Sequence, residues 1–356
     1  MTTLALRELE DLDFQVATVP SFTPVHKAVL RSPQGKEYEA PLPTNGLFAA
    51  VARREELDAA LVLQATQAGT PTLFGQKVTE AQASSDSITL TLDSKETVRA
   101  SQCLAADGMW SPLRKMLGLG LDGYRGEWHA FRQYFTNVGP RASTDLHIWF
   151  EQDILPGYLW SFPIGDNGAN VGFGILRGGT VSTQEMKTLW PELLARPHIR
   201  DVLGDGALPE APHRAWPIPA RIDGVPLTGP RTLFLGDAAA ACDPLTGEGI
   251  GQALATGRQA AACLLNEQSF GAASARYGRA LRNELFADHR MALRLGSLMS
   301  NPSIAEASLR AVGTNGWTRR NFARWMFEDY PRSIVTTPRR WKRGLLSRDG
   351  SAYDVH

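Results

Sequence analysis

The chain has 356 residues, enough for about two domains, and its 43% hydrophobic and 21% charged residues are typical of a folded globular protein. Its 37 Lys and Arg balance its 37 Asp and Glu, so no overall field attracts nucleic acid or an anionic membrane. We therefore exclude a disordered chain and expect no nucleic-acid partner.

The cysteines and histidines predict neither a disulfide framework nor a metal site. Cys103, Cys242 and Cys263 are far apart and form no CxxC pair, and the seven histidines include no HxxxH pair. The first ten residues are acidic and amphipathic, unlike a signal peptide, and no apolar run approaches the ~18 residues of a membrane span. We expect a cytoplasmic protein.

Hydrophobic periodicity places helices and strands along the first half of the chain. Helices are predicted over residues 4–12 and from Val51 to Gly69, with a short strand within 74–81 and a meander through 88–92, 97–99 and 103–107. Aromatic and β-branched residues then predict strands near 129–136, 145–150, 157–164 and 169–176. Asp166-Asn167-Gly168 is a hairpin signal between the last two strands.

The second half is predicted to be mostly helical. A helix is predicted over 183–195, a compact buried strand over 231–236, and a long helix over 249–266, after which helical patterns continue to about residue 328. The strand and the long helix are joined by a glycine-rich segment, which is the most informative stretch of the sequence.

That segment runs from Leu233 through Gly236-Asp237 to Gly247, Gly249 and Gly251. A helix start offers free backbone amides to a ligand, and glycines let a flat ring system approach the backbone. Asp237, at the end of the strand, can accept hydrogen bonds from ligand hydroxyls. A polyol joined to a planar electron-accepting ring suits this pattern, and the alternative is a glycine-rich turn with an Asp cap.

A second strand end carries Ala106-Asp107-Gly108, followed by Ser111 and Arg114. Alone, Asp-Gly is a common turn. Together the two motifs resemble the flavin fingerprints of FAD-dependent monooxygenases and reductases of the glutathione-reductase-like fold. The resemblance implies bound FAD, with the Asp after Gly236 on the ribityl chain and the helix start near the flavin N1–C2 edge, where it favours the reduced anion.

The resemblance transfers cofactor contacts to these positions: Arg53, Asp107, Gly108, Gly236, Asp237, Pro244, Gly247, Glu248, Gly249 and Ile250. For Arg53 an exposed arginine at the start of a helix is an equal alternative. The sequence identifies no catalytic residue, and Glu248 is only a weak candidate for a proton donor.

A third motif is Pro156-Gly-Tyr158-Leu-Trp160-Ser-Phe162-Pro163, followed by Ala169-Asn-Val-Gly172-Phe-Gly174. It resembles the YxWxFP signature of geranylgeranyl reductases, flavoenzymes that saturate isoprenoid double bonds. The resemblance implies that Tyr158, Trp160, Phe162 and Pro163 line the substrate channel. Aromatic residues on one face of a strand are also common in protein cores, which is the alternative.

The implied function is a FAD-dependent oxidoreductase that saturates C=C bonds of a prenyl diphosphate, prenyl lipid or prenylated quinone with NADH or NADPH as reductant. One alternative is a flavin-dependent monooxygenase, hydroxylase or halogenase. Halogenases carry the related motif Trp-x-Trp-x-Ile-Pro. In this chain Tyr158 stands in place of its first Trp, and Phe162 stands in place of its Ile. A second alternative is a non-catalytic remnant.

In this family a strand, a GxGxxG turn and a helix precede the motifs, and no such pattern stands before Phe48. Gly118-Leu-Gly120-Leu-Asp-Gly123 fits GxGxxG literally, but it opens no helix and is predicted to be a C-cap and turn. The chain therefore resembles an N-terminally truncated member of the family.

The predicted fold is α/β, or α+β overall: a glutathione-reductase-like FAD-binding domain without its first βαβ unit, an antiparallel-sheet substrate domain and a helical C-terminal region. The predicted boundaries are 1–117 and 228–270, 118–227, and 271–356 respectively.

The C-terminal segment from Gly316 to Arg348 is basic. Its cationic residues are Arg319, Arg320, Arg324, Arg332, Arg339, Arg340, Lys342, Arg343 and Arg348, against Glu328 and Asp329. Trp317, Trp325 and Trp341 are interleaved with them. This composition suits a peripheral contact with the inner face of the membrane, and a solvated helical surface is the alternative.

Overall fold

The computed structural model describes residues 1–341 and 351–353, which form a mixed helix and sheet fold. The helices are α1 (Thr3–Glu10), α2 (Arg54–Gln67), α3 (Pro112–Met116), α4 (Pro140–Thr144), α5 (Met186–Leu194), α6 (Pro197–Leu203), α7 (Ile250–Asn266), α8 (Phe270–Glu284), α9 (Phe286–Met299), α10 (Pro302–Val312) and α11 (Gly316–Met326).

The strands are β1 (Thr23–Pro24), β2 (Lys27–Arg31), β3 (Glu37–Pro41), β4 (Ala50–Val51), β5 (Val78–Ala83), β6 (Ile88–Leu92), β7 (Thr97–Ala100), β8 (Cys103–Ala105), β9 (Trp128–Thr136), β10 (Leu146–Trp149), β11 (Tyr158–Pro163), β12 (Ala169–Leu176), β13 (Leu208–Pro209), β14 (Arg214–Ile218), β15 (Thr228–Gly229) and β16 (Thr232–Phe234).

Backbone contacts divide the chain into two compact units. The first unit holds residues 1–62, 128–217 and the described part of 291–356, and the second unit holds residues 63–127 and 218–290. Residues 1–62 thus group with strands of the predicted substrate domain. The domain boundaries given above stay a prediction.

The first unit is built on a sheet of order β13-β9-β12-β11-β10-β2-β3, with β14 paired to β9. Along the order from β13 to β3 the pairs are antiparallel except β10 with β2, which is parallel. The predicted strands near 129–136, 145–150, 157–164 and 169–176 are confirmed as β9 to β12. The hairpin of β2 and β3 was not predicted.

Two apolar clusters pack on this sheet. One cluster joins Phe131 and Phe173 of the sheet to Trp190 of α5 and Ile199 of α6. The other joins β2 and β3 to α10 and α11 through residues such as Leu309. Because side chains of a strand alternate between faces, the register fixes which residues of β9, β11 and β12 share a face.

The second unit contains two small sheets. β5, β6 and β7 form an antiparallel meander, as predicted for residues 88–99, whereas β8 leaves it and pairs in parallel with β16. The prediction that the strand at 103–107 belongs to the meander is therefore wrong. The core includes Phe234, whose carbonyl accepts a hydrogen bond from the Tyr277 hydroxyl of α8 at 2.8 Å.

The C-terminal region is helical through α8 to α11, as the sequence predicted. Among the residues that the structure describes, every helix is too short or too polar to cross a lipid bilayer. Arg324 and Arg332 are buried and face Asp329 and Glu328 respectively, so they are not part of a basic surface. Lys342, Arg343 and Arg348 lie outside the described residues.

Candidate functional site

The turn that follows β16 is held by a close approach to α7. Gly236 has a φ of +50°, and its amide donates a hydrogen bond to Thr256 Oγ1 at 3.0 Å. A Cβ atom at this position would lie 3.0 Å from the Cβ of Ala253. The left-handed backbone and the close approach of Ala253 both favour glycine here. The turn fixes the position of Asp237.

Asp237 has a buried partner that the sequence analysis passed over. The Cys242 thiol lies 3.2 Å from Asp237 Oδ1, and a Cβ on Gly249 would lie 2.8 Å from Cys242 Sγ. Burial, with Asp237 adding to it, raises the pKa of the Cys242 thiol well above its usual value, so the thiol stays protonated and donates to the carboxylate. The position of Cys242 inside the motif, between Asp237 and Gly249, was the one feature of the sequence that indicated this contact.

The loop between Asp243 and α7 is closed by carboxylates. Asp243 Oδ1 accepts hydrogen bonds from the amides of Leu245 and Thr246 at 3.0 and 2.8 Å. Pro244 lies in this turn, and Gly247 ends it with a φ of +69°.

Glu248 covers the start of α7. Its Oε1 atom accepts hydrogen bonds from the amides of Ile250 and Gly251 at 3.0 and 3.4 Å. The expectation that these amides are free for a ligand is therefore wrong for this structure. An acidic side chain at a helix start is favourable because it meets unpaired N–H groups and the positive end of the helix dipole.

The Asp107-Gly108 turn is also held internally. The Asp107 carboxylate accepts the Ser111 hydroxyl and the Leu113 amide, both at 2.8 Å, and Gly108 has a φ of +79°. Asp107 thus orders the start of α3.

Arg114 of α3 connects the two motif turns. Its guanidinium donates to the carbonyls of Ala238 and Pro226 and lies 3.9 Å from the ring centroid of Phe234. Burial lowers the pKa of Arg114. Since β8 and β16 are parallel neighbours, their ends meet at one edge, and Arg114 joins the turns there.

A cavity of about 270 Å³ lies at this edge. Its polar lining includes Arg114, Lys115, Arg125, Tyr124 and Asp237. Burial, followed by the hydrogen bond to Glu127, raises the pKa of Tyr124, so its phenol stays protonated. Cationic side chains suit a diphosphate and a carboxylate suits hydroxyl donors, so this donor set fits the polyol and phosphate parts of FAD.

The remaining candidates lie in the first unit, and β11 carries most of them. Tyr158, Trp160 and Phe162 are half-buried on one face, with ring centroids 5.8 and 5.9 Å apart along the strand. Leu159, Ser161 and Pro163 are buried on the other face. Pro163 therefore does not share the aromatic face, which corrects its predicted place beside the three rings.

β12 forms a floor of small residues beside these rings. Gly172 pairs with Trp160 and Gly174 pairs with Tyr158. A Cβ on Gly172 would lie 2.4 Å from Trp160 Cζ2, so the indole lies over this glycine. A Cβ on Gly174 would meet nothing closer than 3.9 Å. Gly174 is buried but has space for a methyl group on this face.

β9 gives the same face a polar border. Ala130, Arg132 and Tyr134 lie opposite Gly174, Gly172 and Asn170 respectively. The Arg132 guanidinium donates to the Tyr134 hydroxyl at 2.6 Å and lies 4.7 Å from its ring centroid.

Arg53 lies against the same tyrosine from its position just before α2. Its guanidinium is 4.7 Å from the Tyr134 ring centroid and forms an ion pair with Glu210. The pKa of Arg53 is raised, chiefly by its hydrogen bond to Glu210.

The structure thus collects the predicted residues in two groups. Asp107, Gly108 and the residues from Gly236 to Ile250 lie in the second unit, and Arg53 with the aromatic residues lies in the first. The GxGxxG-like stretch is a turn after α3, as predicted, with Gly118 and Gly123 at positive φ.

The sequence model of the family "FAD binding domain" matches residues 22–266. A menaquinone reductase of Mycolicibacterium smegmatis is 31% identical over 258 residues, which are 66% of this chain and 59% of that protein. A digeranylgeranylglycerophospholipid reductase of Methanopyrus kandleri is 30% identical over 249 residues, with coverages of 66% and 59%. The chain spans about three-fifths of the length of these curated relatives.

Solved structures show the same fold. A geranylgeranyl bacteriochlorophyll reductase-like protein of Thermoplasma acidophilum has a TM-score of 0.74 at 20% identity, over 94% of this chain and 87% of that one. A flavin-dependent halogenase has a TM-score of 0.65 at 20% identity, over 95% and 68%. These likenesses confirm the predicted fold class.

Proposed function

Because this chain belongs to the FAD-binding domain family, we propose that it is a FAD-dependent reductase that saturates C=C bonds of an isoprenoid chain. The family match confirms the flavoprotein prediction made from the two glycine-rich motifs. Relatives named as reductases of menaquinone and of a digeranylgeranyl lipid support the substrate class.

The observation that carries the proposal is the open aromatic face of β11. Tyr158, Trp160 and Phe162 are half-buried, Phe162 packs against the apolar cluster of β2, β3, α10 and α11, and Gly174 leaves space for a methyl group beside Tyr158. An apolar chain needs such a surface, with large flat side chains and few polar groups. In a core strand the same rings would be fully covered, as Phe131 and Phe173 are on the other face.

We assign the FAD contacts to the second unit, around Asp237 and the cavity beside Arg114. FAD, when bound there, would supply the chemistry that carries a hydride from NADH or NADPH to the substrate. A hydride and a proton add to the double bond, the nicotinamide is oxidised, and no other co-reactant is consumed. For the amides of Ile250 and Gly251 to meet the cofactor, the Glu248 side chain has to move away from them.

The cofactor assignment is tested by titrating the purified chain with FAD and following flavin fluorescence. We expect Asp237→Ala to weaken binding about 10-fold or more, since a hydrogen bond to a charged group contributes roughly 1.5–3 kcal/mol. Asp86→Ala is the control, because Asp86 lies in an exposed turn of the same unit and bonds to Ser84 and Arg99. Equal affinities for both variants would refute the assignment.

The reaction is tested with NADPH or NADH, FAD and prenyl substrates, with mass spectrometry of the product. We expect a gain of two hydrogens per reduced bond, and a loss of about 10-fold or more in kcat/KM for Trp160→Ala. Trp216→Ala is the control, since this tryptophan is 56% exposed on β14 and lies outside the aromatic face and the basic C-terminal segment. Oxygen-dependent hydroxylated or halogenated products would favour the monooxygenase alternative instead.

We further propose a peripheral contact with anionic lipid through the exposed part of the basic C-terminal segment. Arg320, Arg339, Trp317 and Trp341 are exposed there. Sedimentation with anionic vesicles should carry the protein down, and neutral vesicles should not. Equal behaviour with both vesicles would contradict the contact.

A further inference from the structure

The polar border of the aromatic face contains a cation whose charge nothing on that face balances. Arg132 lies at the centre of β9, and the row Trp160, Gly172, Arg132 runs across three neighbouring strands. Two strand spacings separate the backbones of Trp160 and Arg132 by roughly 10 Å. The glycine floor lies between the aromatic rings and the guanidinium.

Within residues 1–341 and 351–353, Arg132 has Tyr134 as its hydrogen-bond and stacking partner, and no carboxylate pairs with it. A guanidinium carries five N–H donors, and the bond to Tyr134 uses one of them. Arg53, on the same tyrosine, is neutralised by Glu210. The half-buried positive charge of Arg132 is therefore not compensated locally.

Removing a cation partly from water without a counter-charge costs desolvation free energy, and binding of an anion offsets that free energy. The planar fork of arginine matches phosphate oxygens in pairs, which a neutral quinone ring does not offer. Asn170 and the Tyr134 hydroxyl lie at the same end and add neutral polar groups. Phe162 lies beside Asn170 at that end, Trp160 is level with Arg132, and Tyr158 lies beside Gly174 on the opposite side of Trp160.

We propose that Arg132 binds the phosphate or diphosphate head group of the substrate, while the isoprenoid chain lies along Tyr158, Trp160 and Phe162. The inference rests on the proposed function and makes it more specific. It selects anionic prenyl compounds, either a prenyl diphosphate or a prenyl ether phospholipid, over neutral prenyl alcohols and quinones.

The test is equilibrium binding to the full chain by calorimetry, with ligands dispersed in one detergent. The probes are geranylgeranyl diphosphate, a digeranylgeranyl ether phospholipid with a phosphate head group, and geranylgeraniol. We expect at least one anionic ligand to bind 10-fold or more tightly than the alcohol. Arg132→Gln should remove that preference and leave alcohol binding within about threefold, and Arg132→Lys should keep part of it.

Arg141→Gln is the matched control, because Arg141 is an arginine of the same unit whose charge is paired with Glu37 and Asp201. It should keep the wild-type preference. Thermal melts establish that each variant is folded, and whichever anionic ligand loses affinity in Arg132→Gln identifies the source of the head group.

The two proposals fail differently. If the alcohol binds and neither anionic ligand binds better, the head-group inference is overturned and the isoprenoid site stands. If an anionic ligand binds through Arg132 while the alcohol does not bind, the head-group inference stands and the isoprenoid reductase proposal loses its support. If no ligand binds, both are overturned.

Discussion

At the scale of single residues, the cofactor motif depends on a side chain that no motif predicted. Cys242 is buried between Asp237 and the start of α7, and its thiol donates to the Asp237 carboxylate. Asp237 itself is half-buried, and a donor from the protein interior favours one orientation of its carboxylate, since a typical hydrogen bond contributes about 1 kcal/mol. Cys242 is therefore a positioning residue for Asp237.

We predict that Cys242→Ala weakens FAD binding about threefold, since Asp237 loses one of the groups that orient its carboxylate. Cys263→Ala is the matched control, because Cys263 is equally buried but lies near the far end of α7. Both variants lose stability through the cavity that they leave. Flavin fluorescence titrations separate the two effects, and an equal loss of affinity in both variants would contradict the role of Cys242.

At the scale of elements, the glycines of β12 differ in what surrounds them. Gly172 is covered by the Trp160 indole and faces the Phe131 carbonyl, 2.3 Å from where a Cβ would be. Gly174 has room for a methyl group. The two glycines lie on the same face of β12, but only Gly172 lacks space for a side chain.

We therefore predict that Gly172→Ala lowers the free energy of unfolding by about 1–3 kcal/mol, because the added methyl group forces the strand or the indole to shift. Gly174→Ala should change it by less than about 1 kcal/mol. Urea denaturation measures both, and tryptophan fluorescence reports any displacement of Trp160. A Gly174→Ala protein as unstable as Gly172→Ala would contradict this packing.

The start of α7 gives a second prediction at this scale. Glu248→Ala removes the carboxylate that covers the amides of Ile250 and Gly251, so the FAD-free protein should lose about 1 kcal/mol of stability. Glu248→Gln keeps an acceptor and should lose about half as much. Urea denaturation without FAD checks the order, and equal stability of all three proteins would contradict the contact.

Elements with strong local patterns were predictable. The alternation in β9 to β12 and the Asp166-Asn167-Gly168 turn lie close together in the sequence, and the structure confirms them. The pairing of β8 with β16 joins residues more than 120 positions apart, which no local pattern encodes. Arg132 was missed for the same reason, since its meaning comes from strands paired beside it.

At the scale of the whole molecule, stability against acid depends on buried histidines. His147 is 1% exposed, and burial, with Arg141 adding to it, lowers its pKa to about 4. The unfolded chain, with a histidine pKa of 6.5, binds the proton first. The stabilisation is complete above pH 6.5 and is lost as the pH falls toward 4.

We predict that between pH 7 and pH 5 the wild-type protein loses about 2 kcal/mol more stability than His147→Gln does. His129 and His289, whose pKa values burial also lowers, keep part of the acid dependence in the variant. His26→Gln, at an exposed site, is the control and should behave as wild type. Urea midpoints at the two pH values give the comparison, and parallel losses in all three proteins would contradict it.

The edge formed by β8 has a practical consequence for handling the protein. Among the described residues, β16 is the strand that pairs with β8. Leu104 of β8 is 41% exposed, and Leu73 and Phe74 of the same unit are 66% and 73% exposed. Unpaired strand edges and exposed apolar side chains promote self-association. A chain with a formal net charge of zero has little electrostatic repulsion between molecules at pH 7 to oppose it. Concentrated samples should therefore keep best in buffers well away from neutrality on the alkaline side, where the molecules repel one another.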